Sequence, residues 1–130
     1  ARLNGHPIAV SRSRDLQSSL TATGFPYDIH NRAEEEVQRL KRVLVRMRGI
    51  RRMGAAAADL AYTACGRFDA FYEVGLKPWD TAAGWLLVEE AGGRVTTFAE
   101  EPFHPYAGSI LASNGGIHGE LSALLTGSPR

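Results

Sequence analysis

Two kinds of side chain in this sequence could do chemistry: carboxylates at element ends and a run of arginines. The most informative stretch runs from Glu73 to Gly93. In it a strand ends, a turn containing Gly75 follows, and Asp80 opens a helix. A carboxylate there can accept hydrogen bonds from the free N–H groups of the first turn and match the positive end of the helix dipole. It can equally act as an oxygen ligand for a hard cation such as Mg²⁺, reaching into a cleft at the strand-to-helix edge. The spacing leaves both roles open. Asp59 interrupts an apolar run from Ala55 to Cys65 and reads as a satisfied structural aspartate, since a buried charge must be paired. Glu34, Glu35 and Glu36 fall in the first turn of a helix, where they complement its dipole. His6, His30, His104 and His118 show no metal-ligand spacing.

The arginines are unevenly spread. Residues 1–54 carry a net charge of +6 and residues 55–130 a net −5, for +1 over the chain of 130 residues. The excess sits between Arg39 and Arg52, which suits either an anion or nucleic-acid patch or the solvated face of a helix. Glu35, four residues before Arg39, favours the helix. The overall balance carries no strong single-sign field that points to DNA. Cys65 is the only cysteine, so an intrachain disulfide is excluded, and it reads as a small buried apolar residue. With no apolar leader segment, the composition fits a cytoplasmic protein. The Ala-rich run is too short to span a membrane.

Elements must position these groups. Leu3 to Val10 reads as an extended segment with a turn at Asn4-Gly5, and Ser19 to Phe25 as a strand stopped by Pro26. A helix capped by Asn31, with Glu34 three residues on, should bury the stripe Ala33, Val37, Leu40, Leu44 and Met47 and stop at Gly49. Ile50–Met53 is a short strand, Ala55–Cys65 a helix stopped by Gly66, and Phe68–Val74 a strand. A helix from Asp80 to Ala91, a strand Arg94–Phe98, a loop 99–108, a strand Ser109–Ser113 and a helix Ile117–Leu125 complete the order. Alternating strands and helices predict an α/β fold with a mixed, mostly parallel sheet covered by helices. Residues 1–14 fall outside that alternation and read as the end of an antiparallel sheet region, with 15–130 the α/β subdomain.

The residues also carry a family pattern. Trp79-Asp80-x-Ala82-Ala83-Gly84-x-Leu86-Leu87-Val88-x-Glu90-Ala91-Gly92-Gly93 resembles the C-terminal signature of the inositol monophosphatase family. Leu3-Asn4-Gly5-x-Pro7-Ile8, Ala22 to Tyr27, Arg51 to Tyr62 and Gly66-Arg67-x-Asp69 resemble further blocks of that family in the right order. The resemblance implies a layered αβαβα fold, of which this chain is the C-terminal half. It also implies a Mg²⁺-dependent phosphomonoesterase, in most members a dimer. Asp80 would be the metal-binding aspartate. Glu73 would accept hydrogen bonds from a substrate hydroxyl, a task suited to a group with several acceptor sites. Gly54, Ala55 and Ala56 would line the substrate pocket with a helix N-terminus, and Arg51 would be a basic residue of the substrate site.

The family's early glutamate and its Asp-Pro-x-Asp-Gly-Thr block do not occur in this sequence. The expectation is therefore half of a phosphatase acting on a phosphate monoester of a small polyol such as inositol monophosphate. This chain would supply half the pocket and one metal ligand, and would be inactive alone. It also opens without Met inside an extended segment, which is read as a piece of a longer chain. The expected partners are the phosphorylated polyol, the missing N-terminal half or a second subunit, and a further copy in a homo-oligomer, but no membrane. The alternative is a non-catalytic protein- or RNA-binding module derived from the same family, with the Arg39–Arg52 cluster as its surface.

Overall fold

The computed structural model describes residues 1–128, so the last two residues of the expected α/β subdomain lie outside the described residues. Strands β1 (Arg2–Leu3) and β2 (His6–Pro7) form a separate antiparallel hairpin. Its turn residues Asn4 and Gly5 have φ of 52° and 82°, the left-handed pair that a two-residue hairpin turn requires. A single 3₁₀ turn, Leu16–Ser18, leads into the main body. There the order is β3 (Leu20–Thr23), α1 (Ile29–Leu44), β4 (Gly49–Arg51), α2 (Ala56–Ala64), β5 (Ala70–Val74), α3 (Pro78–Glu90), β6 (Arg94–Thr96), β7 (Ser109–Ser113) and α4 (His118–Thr126).

These strands form one sheet in the order β4-β3-β5-β7-β6. β3 runs parallel to both neighbours, while β7 is antiparallel to β5 and to β6. The sheet is therefore mixed, as the alternation of elements predicts: two pairings are parallel and two antiparallel, and every strand but β7 runs the same way. From β3 the chain crosses to β4 on one side, then from β4 back over β3 to β5 on the other. Parallel crossovers are right-handed, so two crossovers in opposite directions put their helices on opposite faces. The core divides accordingly. Val43, Tyr72, Leu111, Ile117 and Leu121 pack on the α1/α4 side, and Ala22, Leu60, Phe71, Val88 and Ile110 on the α2/α3 side. On the second side Gly84 of α3 lies so close to Leu60 of α2 that any larger residue would collide with it.

Helix α1 departs from the sequence expectation. It begins at Ile29, two residues before Asn31, because the Pro26 carbonyl accepts the Ile29 N–H and the Asp28 carbonyl accepts that of Asn31. It ends at Leu44, and Met47 is buried in the turn that follows. Its buried face is Glu36, Arg39 and Val43, whereas Val37 and Leu44 are 56% and 55% exposed. The reason is electrostatic. Arg39 pairs with Glu36 at 2.5 Å and Glu35 at 2.9 Å, and lies 5.0 Å over the Phe98 ring. It also donates to the Leu125 carbonyl at 3.3 Å, while Arg42 donates to the Leu124 carbonyl at 2.6 Å. The two arginines thereby donate to carbonyls of the last turn of α4, of which that of Leu124 also accepts the Gly127 N–H at 3.4 Å. This tertiary bonding turns the more polar face of α1 inward. Cys65 also differs from expectation: it is half-buried, its Sγ donating to the Tyr62 carbonyl at 3.6 Å.

At the first position of α4, His118 is fully buried between Thr96 Oγ1 at 2.8 Å and Ser113 Oγ at 2.7 Å. Burial, helped by Arg94, pushes it down to about 4, with Glu100 opposing.

Arg39→Ala should cost about 3–5 kcal/mol, because it strands the buried Glu36 carboxylate, and denaturant melts at neutral pH measure this. His118 gives a second expected outcome. Below about pH 6.5 the unfolded chain binds a proton that the native imidazole refuses. Stability should therefore fall between about pH 6.5 and pH 4, by roughly 3 kcal/mol from this group. His118→Gln should flatten that part of the stability-versus-pH curve.

Candidate functional site

The two opposed crossovers leave a crevice at the carboxyl ends of β3 and β5, where the strand order switches direction and no helix covers the sheet edge. A cleft of about 280 Å³ occupies it. β3 brings Gly24, the segment after β4 brings Arg52, Gly54, Ala55 and Ala56, β5 brings Glu73, and the start of α3 brings Asp80.

Strand alternation puts Glu73 on the same face of β5 as Phe71, toward α2 and α3. Its carboxylate lies directly over Gly24, where any side chain would occupy the same space. Burial pushes Glu73 up to about 7, with Asp59, Asp80 and Glu36 adding to the rise and Arg52 opposing it. Near neutral pH the group is therefore divided between a carboxylate, which accepts hydrogen bonds, and a carboxylic acid, which can also donate one. Arg52 is exposed, 5.7 Å over the Phe25 ring, and solvent weakens its effect on these carboxylates.

Asp80 is the third residue of α3, after Pro78 at the first helical position. Its Oδ2 accepts the Lys77 N–H at 2.9 Å, one half of a capping box. The helix-start role is thus realised by a bond that reaches back rather than into the first turn. Ala55 precedes α2 in an extended conformation with no side-chain cap, so the first-turn N–H groups at the cleft have no side-chain acceptor there. Gly54, at φ 84°, makes the left-handed bend that turns the chain from β4 into α2.

Of the residues singled out in the sequence, Glu73, Asp80, Gly54, Ala55 and Ala56 line this one cleft. Arg51 does not: it is exposed and donates to its neighbour's carbonyl, Ile50, at 3.2 Å. Arg52 takes the cleft position instead. Arg51 is the last residue of β4 and Arg52 the first beyond it, so the path of the chain as it leaves the strand brings Arg52 rather than Arg51 to the cleft. Gly24 was also missed as a site residue, because its importance is the space it leaves for Glu73.

Asp59 corrects the expectation of a satisfied aspartate. It is 1% exposed, and among the described residues its Oδ1 has no hydrogen-bond partner. Burial raises it to about 6, with Arg52 opposing. Thr81 Oγ1, in the turn after Asp80, is likewise buried without a partner.

Mg²⁺ asks for a near-octahedral set of oxygen donors and is usually fixed by more than one carboxylate or by substrate phosphate. Asp80 offers one carboxylate, with one oxygen already on Lys77, and among the described residues no group of three or more His, Cys, Asp or Glu could hold a metal ion. These residues alone do not fit a complete Mg²⁺ site.

The model of the inositol monophosphatase family matches residues 1–128. The chain belongs to that family. It is 43% identical to an inositol-1-monophosphatase of Synechocystis sp. over 130 residues, all of this chain and 45% of the relative. It is 44% identical over 114 residues to the Nus factor SuhB of Escherichia coli, covering 88% of this chain and 43% of that protein. The solved inositol monophosphatase of Anabaena (Nostoc) sp. superposes with a TM-score of 0.91 at 44% identity, over 97% of this chain and 52% of the other. The chain thus spans about half the length of the relatives it matches, and its α/β body has the fold of the C-terminal half of the family. Among the described residues no helix is long and apolar enough to cross a membrane.

The raised Glu73 group gives a test independent of activity. A carboxyl whose folded value is raised binds protons more tightly in the native state, so its contribution to stability is lost as pH rises through about 7. Glu73→Gln should become progressively more stable than the parent chain between pH 5 and pH 8 in chemical denaturation. A difference that does not change with pH would contradict the raised value.

Proposed function

We propose that this chain is the polyol-binding half of a phosphomonoesterase that acts on a phosphate monoester of a small polyol such as inositol monophosphate. The observation that supports it is the cleft itself, where a half-buried Glu73, the start of α2 and Asp80 converge at the carboxyl ends of the parallel strands. Glu73, whose carboxylate lies over Gly24, would accept a hydrogen bond from a ring hydroxyl. The free N–H groups at the start of α2 would bind a second hydroxyl or a phosphate oxygen. Arg52 would hold the anionic end of the substrate near the mouth.

Asp80 would be one ligand to Mg²⁺, and the remaining ligands would come from a segment beyond these 130 residues. When bound, the metal would supply Lewis-acid polarisation of the phosphoryl oxygen and activation of water. The residues of this chain would bind and orient the substrate. Residues 1–14 would belong to an antiparallel sheet completed by the other half, and the setting would be cytoplasmic.

The alternative, a protein- or RNA-binding module, keeps a smaller surface, because Arg46, Arg48 and Arg51 stay exposed. Within the Arg39–Arg52 run, Arg39 and Arg42 are committed to α4, and Arg52 turns to the cleft.

Phosphate release from inositol monophosphate with Mg²⁺ is the test. The 130-residue chain should show no turnover alone and should gain it when joined to an N-terminal half of the family. Robust turnover by the chain alone would overturn the proposal. In the joined protein, Glu73→Gln should raise KM about 10–100-fold, the loss expected for a hydrogen bond to a charged group.

A further inference from the structure

At the edge of the sheet opposite the cleft, residues 11–14 run past the start of β3 and the end of β7. Asn114 clamps this segment: its Nδ2 donates to Ser11 Oγ at 3.0 Å and to the Ser13 carbonyl at 2.7 Å. Ser11 Oγ donates to Asp69 Oδ1 at 2.5 Å, and Ser13 Oγ bonds Ser19 Oγ at 2.8 Å. With both serines held inward, Arg12 and Arg14 are left exposed. Beside them the chain turns into α4 through Gly115, at φ 87°, and Gly116. A Cβ at Gly116 would come within 3.0 Å of the Ser13 carbonyl, so glycine permits the close approach of the two segments.

Between the segments lies an open basin of about 660 Å³ lined by Arg12, Ser13, Arg14, Asn114, Gly115 and Gly116. Its polar backbone is already used. Ser113 Oγ accepts the Gly115 N–H, and Asn114 Oδ1 those of Gly116 and Ile117. The guanidiniums are not. Among the described residues neither Arg12 nor Arg14 has a hydrogen bond, an ion pair or a ring beneath it. The carboxylates nearest in sequence are engaged elsewhere: Asp15 Oδ1 accepts the Ser18 N–H at 2.9 Å, and Asp69 takes Ser11 Oγ and the Leu20 N–H. Two residues of extended chain separate such side chains by about 7 Å, which lets two long guanidinium arms close on one anion. Held that near each other, two like charges repel, and a shared counter-anion relieves the repulsion.

We propose that Arg12 and Arg14 form a binding site for a dianionic phosphate group, free or carried by a small molecule. The guanidinium fork matches phosphate oxygens in pairs, and two forks match a dianion. The site stands at the amino ends of β3 and β5, the cleft at their carboxyl ends, so the inference is independent of the phosphatase reading.

Amide NMR of the ¹⁵N-labelled chain tests it, with inorganic phosphate replacing chloride at constant ionic strength and pH. The Gly115 and Gly116 amides should shift and saturate. Arg12→Gln and Arg14→Gln should each weaken binding about three- to fivefold, the range of one exposed ion pair, without lowering the melting temperature. The double variant should abolish saturation, and Glu73→Gln should leave the titration unchanged. Inositol monophosphate distinguishes the two sources. Equal affinity marks a site that reads the phosphate alone, and tighter binding through the same arginines marks a phosphorylated small molecule. Three results overturn the proposal: shifts that chloride alone reproduces, shifts confined to Ala56 and Ala57 at the cleft, or binding that the double variant retains.

Discussion

A parallel strand flanked by two parallel neighbours is the constraint on which this molecule depends. β3 pairs with β4 on one side and β5 on the other, and the chain can reach both only by crossovers in opposite directions. The handedness of crossovers then forces α1 and α2 to opposite faces, and a crevice opens at the strand ends between them. Everything with chemical character collects there. Each contributing segment leaves a strand at the same edge, so residues as distant in sequence as Gly24 and Asp80 become neighbours.

The crevice is held at a thermodynamic disadvantage. Glu73 and Asp59 are both pushed above the ordinary carboxyl range by burial, and the exposed Arg52 offsets this only in part. A carboxyl desolvated by its surroundings gains from any hydrogen-bond donor brought to it. A side chain at Gly24 would meet the end of Glu73 and push its carboxylate aside. On the same side of the sheet, Gly84 lets α3 pack closely on Leu60 of α2. Stability elsewhere, in the Arg39–Glu36 pair and the two clusters on either side of the sheet, supports that arrangement.

Much of the fold was legible in sequence. The Asn4-Gly5 turn, the final strand Ser109–Ser113 and the helices before Gly66 and Gly92 stand where turn chemistry and period put them. The boundaries of α1 were not, because Pro26 and Asp28 carbonyls start the helix earlier than the best side-chain cap would. Its buried face was not legible either. Apolar periodicity identifies a helix and a stripe, but it cannot say whether that stripe meets the core or another surface. Here bonds from two arginines to the end of α4, more than eighty residues away in sequence, outweigh the burial of Val37 and Leu44.

At the cleft the division is similar. By itself the sequence determined which types of residue are present, that Asp80 stands at a helix start, and that the blocks of one family follow in order, since these depend on local chemistry and spacing. Tertiary structure alone decided that Arg52 rather than Arg51 faces the cleft, because the chain turns as it leaves β4 after Arg51. It decided that Glu73 lies on Gly24 and that Asp59 is buried with an oxygen unpartnered. Those are properties of distance and solvent access between segments, and they come into being only when the sheet has brought its strand ends together.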